Sequence, residues 1–169
     1  MSPPARLDAA RATRVRLLVL DVDGVMTDGR LWFGPTGEAL KVFHVRDGYG
    51  IKAVQQAGIE VAVISGRTSA AVAERLSELG VRHIMQGVAD KGPALARLLE
   101  QTALTAADCA CLVDDLPDLV LMRGVGLPVA VADAHPDVLA AAAWITRTPG
   151  GHGAVRELCD ALLAARRQT

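Results

Sequence analysis

The stretch LLVLDVDGVMTDGR, residues 17–30, ends an apolar run on Asp21 and places Asp23 two positions later, just before Gly24. A carboxylate at the tip of a buried strand is costly to desolvate, so two of them need a chemical reason. Three other places along the chain pair apolar residues with polar groups in a similar way. Ser65, Gly66 and Arg67 follow VAVI, Asp114 and Asp115 follow CLV, and Lys91 opens a helical stretch after MQGVAD. Several carboxylates in one crevice repel one another and rise in pKa unless a cation neutralises them. A hard divalent ion with oxygen ligands, Mg²⁺ by preference, resolves that conflict. Lys91, Ser65 and the nearby glycine-rich turns suit an anionic group such as phosphate. Carboxylates, a metal and phosphate donors together point to phosphoryl transfer with an aspartate as nucleophile.

These groups act together only if the fold brings them to one place. Short runs rich in Val, Ile and Leu alternate with helical patterns, the signature of an α/β fold with a parallel sheet. Strands are expected over Leu17–Leu20, Glu60–Ile64, Cys109–Val113 and 128–131, with weaker ones at 82–85 and 144–146. They are continuously apolar, as strands covered by helices on both faces should be. Helical patterns fill the gaps, one of them closed by Gly58 and the next opening on Ser69 as a candidate cap and ending at Gly80. In doubly wound sheets ligands bind at the carboxyl ends of the strands, where all four polar clusters would then meet. One segment breaks the alternation. RLWFGPTGEALKVFHV carries two apolar or alternating stretches around a Gly-Pro-Thr-Gly turn, a β-hairpin signal between the first strand and the first helix.

A chain of 169 residues suits one domain over 1–169, with 1–15 expected to be flexible and about 24–44 forming the hairpin insertion. Aromatic residues make up 3%, so Ala, Val and Leu must fill most of the core. A net charge of -1 gives no general pull toward nucleic acid or an anionic membrane, and any anionic ligand must be held by local charge. Cys109, Cys111 and Cys159 form no CxxC pair, and there is no secretory h-region. The expectation is a cytoplasmic protein with reduced thiols. VLAAAAWI is too short to span a bilayer. His83, His135 and His152 show no metal-ligand spacing.

The motifs DVDGVMTDG, ISGR, DKG and DDLPD, in this order across nearly the whole chain, resemble the four motifs of the haloacid dehalogenase superfamily of phosphohydrolases. HVRDGYGI, MQGVADKG and the tail GGHGAVRELCD narrow the resemblance to the capless 3-deoxy-D-manno-octulosonate 8-phosphate phosphatases. The resemblance implies a Rossmann-like three-layer sandwich with a small hairpin and no cap domain. It also implies hydrolysis of an acidic eight-carbon sugar phosphate, in lipopolysaccharide precursor synthesis, through an aspartyl-phosphate. In that pattern Asp21 is the nucleophile and Asp23 the proton carrier, while Ser65 and Lys91 hold the phosphoryl group. Mg²⁺ is held by the Asp21 carboxylate, the Asp23 carbonyl and Asp114, with Asp115 or Asp118 in support. Substrate contacts map onto Asp23, His44, Val45, Arg46, Asp47, Gly48, Gly66, Arg67, Arg75 and Lys91. Arg67 replaces an acidic residue of the related nine-carbon keto-sugar phosphatases and favours the eight-carbon acid. The family assembles as a tetramer in which a neighbour's hairpin and tail cover the site, making Trp32 and Phe33 interface residues.

The chain departs from the family pattern at Val113, where glycine is expected, at Ser65 in place of threonine, and at His44 in place of asparagine. Two alternatives stand beside the main reading. One is the same chemistry on a nine-carbon keto-sugar phosphate, the other a catalytically silent domain of this fold used for oligomerisation. Asp115 and Asp118 also have a plainer role open to them, at the start of the helix that Pro117 introduces.

Overall fold

A computed structural model describes residues 7–167 of the chain. In order, the elements are α1 (Ala9–Arg14), β1 (Leu17–Leu20), β2 (Trp32–Gly34), β3 (Gly37–Leu40), α2 (Val45–Gln56), β4 (Glu60–Ile64), α3 (Ala70–Glu78) and β5 (His83–Met85). They continue with α4 (Lys91–Thr102), β6 (Cys109–Val113), α5 (Leu119–Arg123), β7 (Leu127–Ala130), α6 (Pro136–Ala141), β8 (Trp144–Ile145) and α7 (Ala154–Arg167). Six strands make one sheet in the order β5-β4-β1-β6-β7-β8, every pair parallel. Helices flank it, with α2 and α1 packed on α7 and α5 packed on both α4 and α6. This is the expected α/β three-layer sandwich.

β1 lies between β4 and β6, so both of its edges are paired and its four residues are fully buried. Trimming one such leucine to alanine costs about 2–5 kcal/mol, because its packing cannot relax into the gap. That stiffness sets the register. Leu20 pairs with Val63 of β4 and Leu112 of β6, and the Asp21 amide donates to the Leu112 carbonyl at 3.2 Å. Asp21, Ser65 and Asp114 therefore emerge side by side at the carboxyl edge. The chain order reverses about β1, which makes this edge the crevice where such sheets bind ligands.

Val113, where glycine was expected, sits within β6 opposite Ala130 and is fully buried. Its backbone is not among those with positive φ, so a β-branched side chain fits there.

Of residues 1–15, expected to be flexible, 1–6 lie outside the described residues, and 7–15 carry α1 and its flanks. Asp8 caps α1 by accepting from the Arg11 amide, and Ala12 and Val15 are fully buried. Arg166 of α7 donates to the carbonyls of Val15 and Ala57, at 2.6 and 2.5 Å, tying this segment to the end of α2.

β2 and β3 form the antiparallel hairpin, with Pro35 and Thr36 at its tip and Gly37 at φ 112. The Gly-rich tail before α7 packs on the loop that follows β1. The Gly151 amide donates to the Val25 carbonyl at 2.9 Å and the Gly150 amide to Asp133 at 2.9 Å. A Cβ on Gly150 would stand 1.7 Å from the Gly24 carbonyl oxygen. Gly150→Ala should thus push the tail off the β1 loop, costing about 1–3 kcal/mol as overpacking does. Thermal unfolding checks this, and an unchanged melting midpoint contradicts it.

Candidate active site

The loop after β1 is shaped by its own polar groups. Thr27 is buried, its hydroxyl accepting from the amides of Gly24 and Gly29 and donating to the Val22 carbonyl. Gly24 adopts φ +89, a conformation side-chain-bearing residues rarely take, and a Cβ there would lie 2.0 Å from Asp114 Oδ2. Gly24 therefore both turns the chain and lets Asp114 approach β1.

Asp21, Asp114 and Asp118 each bring a carboxylate oxygen within 4.8 Å of the other two. Lys91, the first residue of α4, donates to Asp21 Oδ1 at 2.8 Å and to Asp118 Oδ1 at 2.5 Å. One ammonium faces three carboxylates, which leaves an excess of negative charge. Burial, only partly offset by Lys91, pushes the Asp21 carboxyl up to about 6. Burial and then the charges of Asp21, Asp118 and Asp115 push Asp114 up to about 8. Burial alone would lower the Lys91 pKa, yet Asp21 and Asp118 overcome it and hold the ammonium above its usual range. Asp114 Oδ1 is buried with no hydrogen-bond partner. An orphaned carboxylate oxygen among crowded acids, with oxygen donors throughout, fits a hard divalent cation.

Asp115 is not among the three carboxylates that approach within 4.8 Å, though its charge reaches Asp114. It is an N-cap with an extended backbone, and its carboxylate accepts from the Leu116 amide at 2.8 Å. The short 3₁₀ turn Leu116–Asp118 instead turns Asp118 inward, where it is 2% exposed. Of the two aspartates proposed in support of the metal, the structure brings Asp118 to Asp21 and Asp114.

Asp23 points to a second set of partners that sequence inspection missed. Lys41, just past β3, is 1% exposed at its side chain and is paired with Asp23 Oδ1 and, at 3.3 Å, with Glu38. Arg67 reaches Asp23 Oδ2 at 3.5 Å and Glu38 Oε2 at 3.0 Å. Burial opposes ionisation of Glu38, but the Ser69 hydroxyl, Arg67 and Lys41 prevail and lower its pKa. Ser69 occupies the expected cap position of α3 yet makes no capping bond from its side chain, which serves Glu38 instead. The hairpin of this chain thus reaches its own site. Only the Glu and Lys of GEALK hinted at it, and nothing local marks their partners.

Ser65 is buried at the end of β4, and its hydroxyl accepts from the Arg67 amide at 3.4 Å. Gly66 leaves room beside the Val88 carbonyl. The remaining candidate substrate residues lie along other contacts. His44 caps α2 by accepting from the Arg46 amide, and Val45 is exposed. Asp47 is 2% exposed and accepts from the Arg156 amide at 2.8 Å, fastening the start of α7 to α2. Burial, opposed by that bond, raises its pKa. Arg75 lies over Gly48, whose added Cβ would stand 2.4 Å from its guanidinium, and it pairs with Glu78 at 2.7 Å. Arg46 lines a cavity of about 770 Å³ along α7 with Arg147, His152 and Arg156, and none of Asp21, Asp23, Asp114 and Asp118 is in its wall. The cysteines offer no nucleophile: all three are buried, and burial pushes the Cys109 and Cys111 thiols up to about 12.

Residues 80–158 match the family model of haloacid dehalogenase-like hydrolases. The chain is 50% identical over 156 residues to the 3-deoxy-D-manno-octulosonate 8-phosphate phosphatase KdsC of Escherichia coli K12, covering 92% of this chain and 83% of that protein. The crystal structure of the 3-deoxy-D-manno-octulosonate 8-phosphate phosphatase from Yersinia pestis is similar at a TM-score of 0.93 and 44% identity, covering 98% of this chain and 95% of that one. The Moraxella catarrhalis phosphatase, solved with a magnesium ion, a phosphate ion and KDO, superposes at a TM-score of 0.92 with 39% identity, over 95% of this chain and 92% of that one.

The raised carboxyls fix the sign of a pH effect. Both folded values lie above the ordinary 3.8, so without metal the folded chain binds protons more tightly than the unfolded chain. These groups therefore favour the fold as pH falls from about 8 to about 6 and oppose it as pH climbs back. Thermal scans in EDTA should give the higher melting midpoint at the lower pH. Asp114→Asn should flatten the slope, and a wild-type slope of opposite sign contradicts the assignment.

Proposed function

The chain belongs to the 3-deoxy-D-manno-octulosonate 8-phosphate phosphatase family, and from that premise we propose that it hydrolyses this acidic sugar phosphate to 3-deoxy-D-manno-octulosonate (KDO) and phosphate. It is a phosphatase of the haloacid dehalogenase type, and its product serves lipopolysaccharide synthesis. The observation that carries the proposal is the convergence of Asp21, Asp114, Asp118 and Lys91 at the carboxyl edge of β1 and β6, with one carboxylate oxygen left unpartnered.

Magnesium, when bound, neutralises the crowded carboxylates and polarises a phosphoryl oxygen. Asp21, Asp114 and Asp118 would hold it, together with the Asp23 carbonyl. Asp21 attacks phosphorus through the oxygen not held by Lys91, while Lys91 and Ser65 bear the charge of the transferring group. The P–O bond to the sugar breaks, and protonated Asp23 gives its proton to the departing oxygen. Water then attacks the aspartyl-phosphate and yields a proton to Asp23. Phosphate leaves, and the Asp21 carboxylate is restored. Arg67, half-exposed beside Asp23, is placed to take the substrate's carboxylate, as bidentate guanidinium recognition favours.

The hairpin is too small to cover the site from water alone. Leu31, Trp32, Phe33, Leu40, Val42, Val45 and Tyr49 form an exposed apolar face on the hairpin and the start of α2. Such a face suits burial against further copies of the chain, and a homotetramer is the assembly we propose. Among the described residues no helix is long and apolar enough to cross a membrane, and we place the enzyme in the cytoplasm with its substrate.

Phosphate release from the eight-carbon and nine-carbon keto-sugar phosphates, with Mg²⁺ and with EDTA, tests the activity. Wild type should favour the eight-carbon acid, and both EDTA and Asp21→Asn should cost about a thousandfold or more, as loss of a nucleophile does. Wild type no faster than Asp21→Asn, or a preference for the nine-carbon acid, contradicts the proposal. The assembly has its own check: Trp32→Ser with Phe33→Ser should shift the light-scattering mass downward, and an unchanged mass contradicts a role for this face.

A further inference from the structure

Asp23, Lys41, Glu38 and Arg67 form a closed ring of alternating charge. Lys41 bridges Asp23 Oδ1 and Glu38, and Arg67 bridges Glu38 and Asp23 Oδ2. The two cations are unlike in their freedom. The Lys41 side chain is 1% exposed and bridges two carboxylates, so breaking either pair would leave a buried charge short of a partner. Arg67 is 44% exposed, and its contact with Asp23 is long at 3.5 Å. Exposed ion pairs of that kind are held weakly and exchange readily for a better partner.

The ring occupies both oxygens of the proton carrier. An oxygen held against a cation cannot at the same time hold a proton for the departing sugar oxygen, so one contact must open before Asp23 can act as the acid. Lys41 is fixed, and Arg67 is the contact that can open. We propose that Arg67 is a latch on Asp23 which the substrate's own carboxylate releases. The arriving carboxylate draws the guanidinium off Asp23 Oδ2, the freed oxygen takes from water the proton that it then gives to the departing sugar oxygen, and Lys41 keeps Oδ1 in place. Recognising the acid group and arming the acid are then one event. A sugar phosphate without a carboxylate enters a site whose proton carrier stays latched, and it is discriminated against in kcat as well as in KM. This inference rests on Arg67 being the partner of the substrate's carboxylate, and it adds that Arg67 also restrains Asp23.

The test is steady-state kinetics of the Mg²⁺-loaded wild type, Arg67→Ala and Arg67→Gln with two substrates. One is 3-deoxy-D-manno-octulosonate 8-phosphate and the other is ribose 5-phosphate, which has an alkyl leaving group and no carboxylate. Both variants should raise kcat for ribose 5-phosphate by about threefold to tenfold, the scale of one charge-assisted contact that no longer has to break. Both should also raise KM for the acidic substrate by about tenfold or more. A residue that served only to bind the carboxylate would leave the ribose 5-phosphate kcat unmoved. An unchanged or lower kcat on ribose 5-phosphate overturns the latch, even where KM for the acidic substrate rises. An unchanged KM for the acidic substrate overturns the underlying assignment of Arg67 instead.

Discussion

Three carboxylates and a single ammonium share the carboxyl edge of the sheet, and this imbalance of charge governs the molecule. Asp21, Asp114 and Asp118 bring carboxylate oxygens within 4.8 Å of one another, with Lys91 alone paired to two of them. Left to itself the cluster relieves the strain by holding protons, which is why burial and mutual repulsion carry Asp21 and Asp114 above their ordinary range. A divalent cation relieves it differently, leaving Asp21 ionised and therefore nucleophilic. The rest of the fold keeps the cluster tight. Fully buried β1 fixes the register, Gly24 admits Asp114, and the tail at Gly150 presses the β1 loop into shape.

The hairpin solves a second problem, that of a proton carrier two residues from the nucleophile. Asp23 must not simply join the acid cluster. Its partners come from β3 and the loop after β4, so its carboxyl belongs to a ring with Lys41, Glu38 and Arg67 rather than to the metal set. Adjacent carboxylates are given separate roles by the groups that face them, the general way in which one site holds an acid and a nucleophile together.

Much of this was legible in the residues. β1, β4 and β6 have the expected bounds because each is a continuous apolar run closed by a polar residue. The outer strands were harder, and β7, between β6 and edge strand β8, begins and ends one residue before the expected span, since Leu127 and Val131 are both apolar. The convergence of Asp21, Ser65, Lys91 and Asp114 followed from strand order and polarity. The choice between Asp115 and Asp118 did not, because it depends on a single 3₁₀ turn that sends one carboxylate to a backbone amide and the other inward. Lys41 was invisible because its partners are distant in sequence. Asp47 shows another limit: the motif that places it among substrate contacts gave no sign that its buried carboxylate fastens α7 to α2.

Calorimetric titration of the metal-free protein with Mg²⁺ near pH 7, in buffers of differing ionisation enthalpy, tests the central claim most directly. With Asp114 pushed up to about 8, binding must displace a proton from the cluster, and the measured heat should vary with the buffer as proton release requires. Binding with the same heat in every buffer would mean that the carboxylates were already ionised, and would contradict the account.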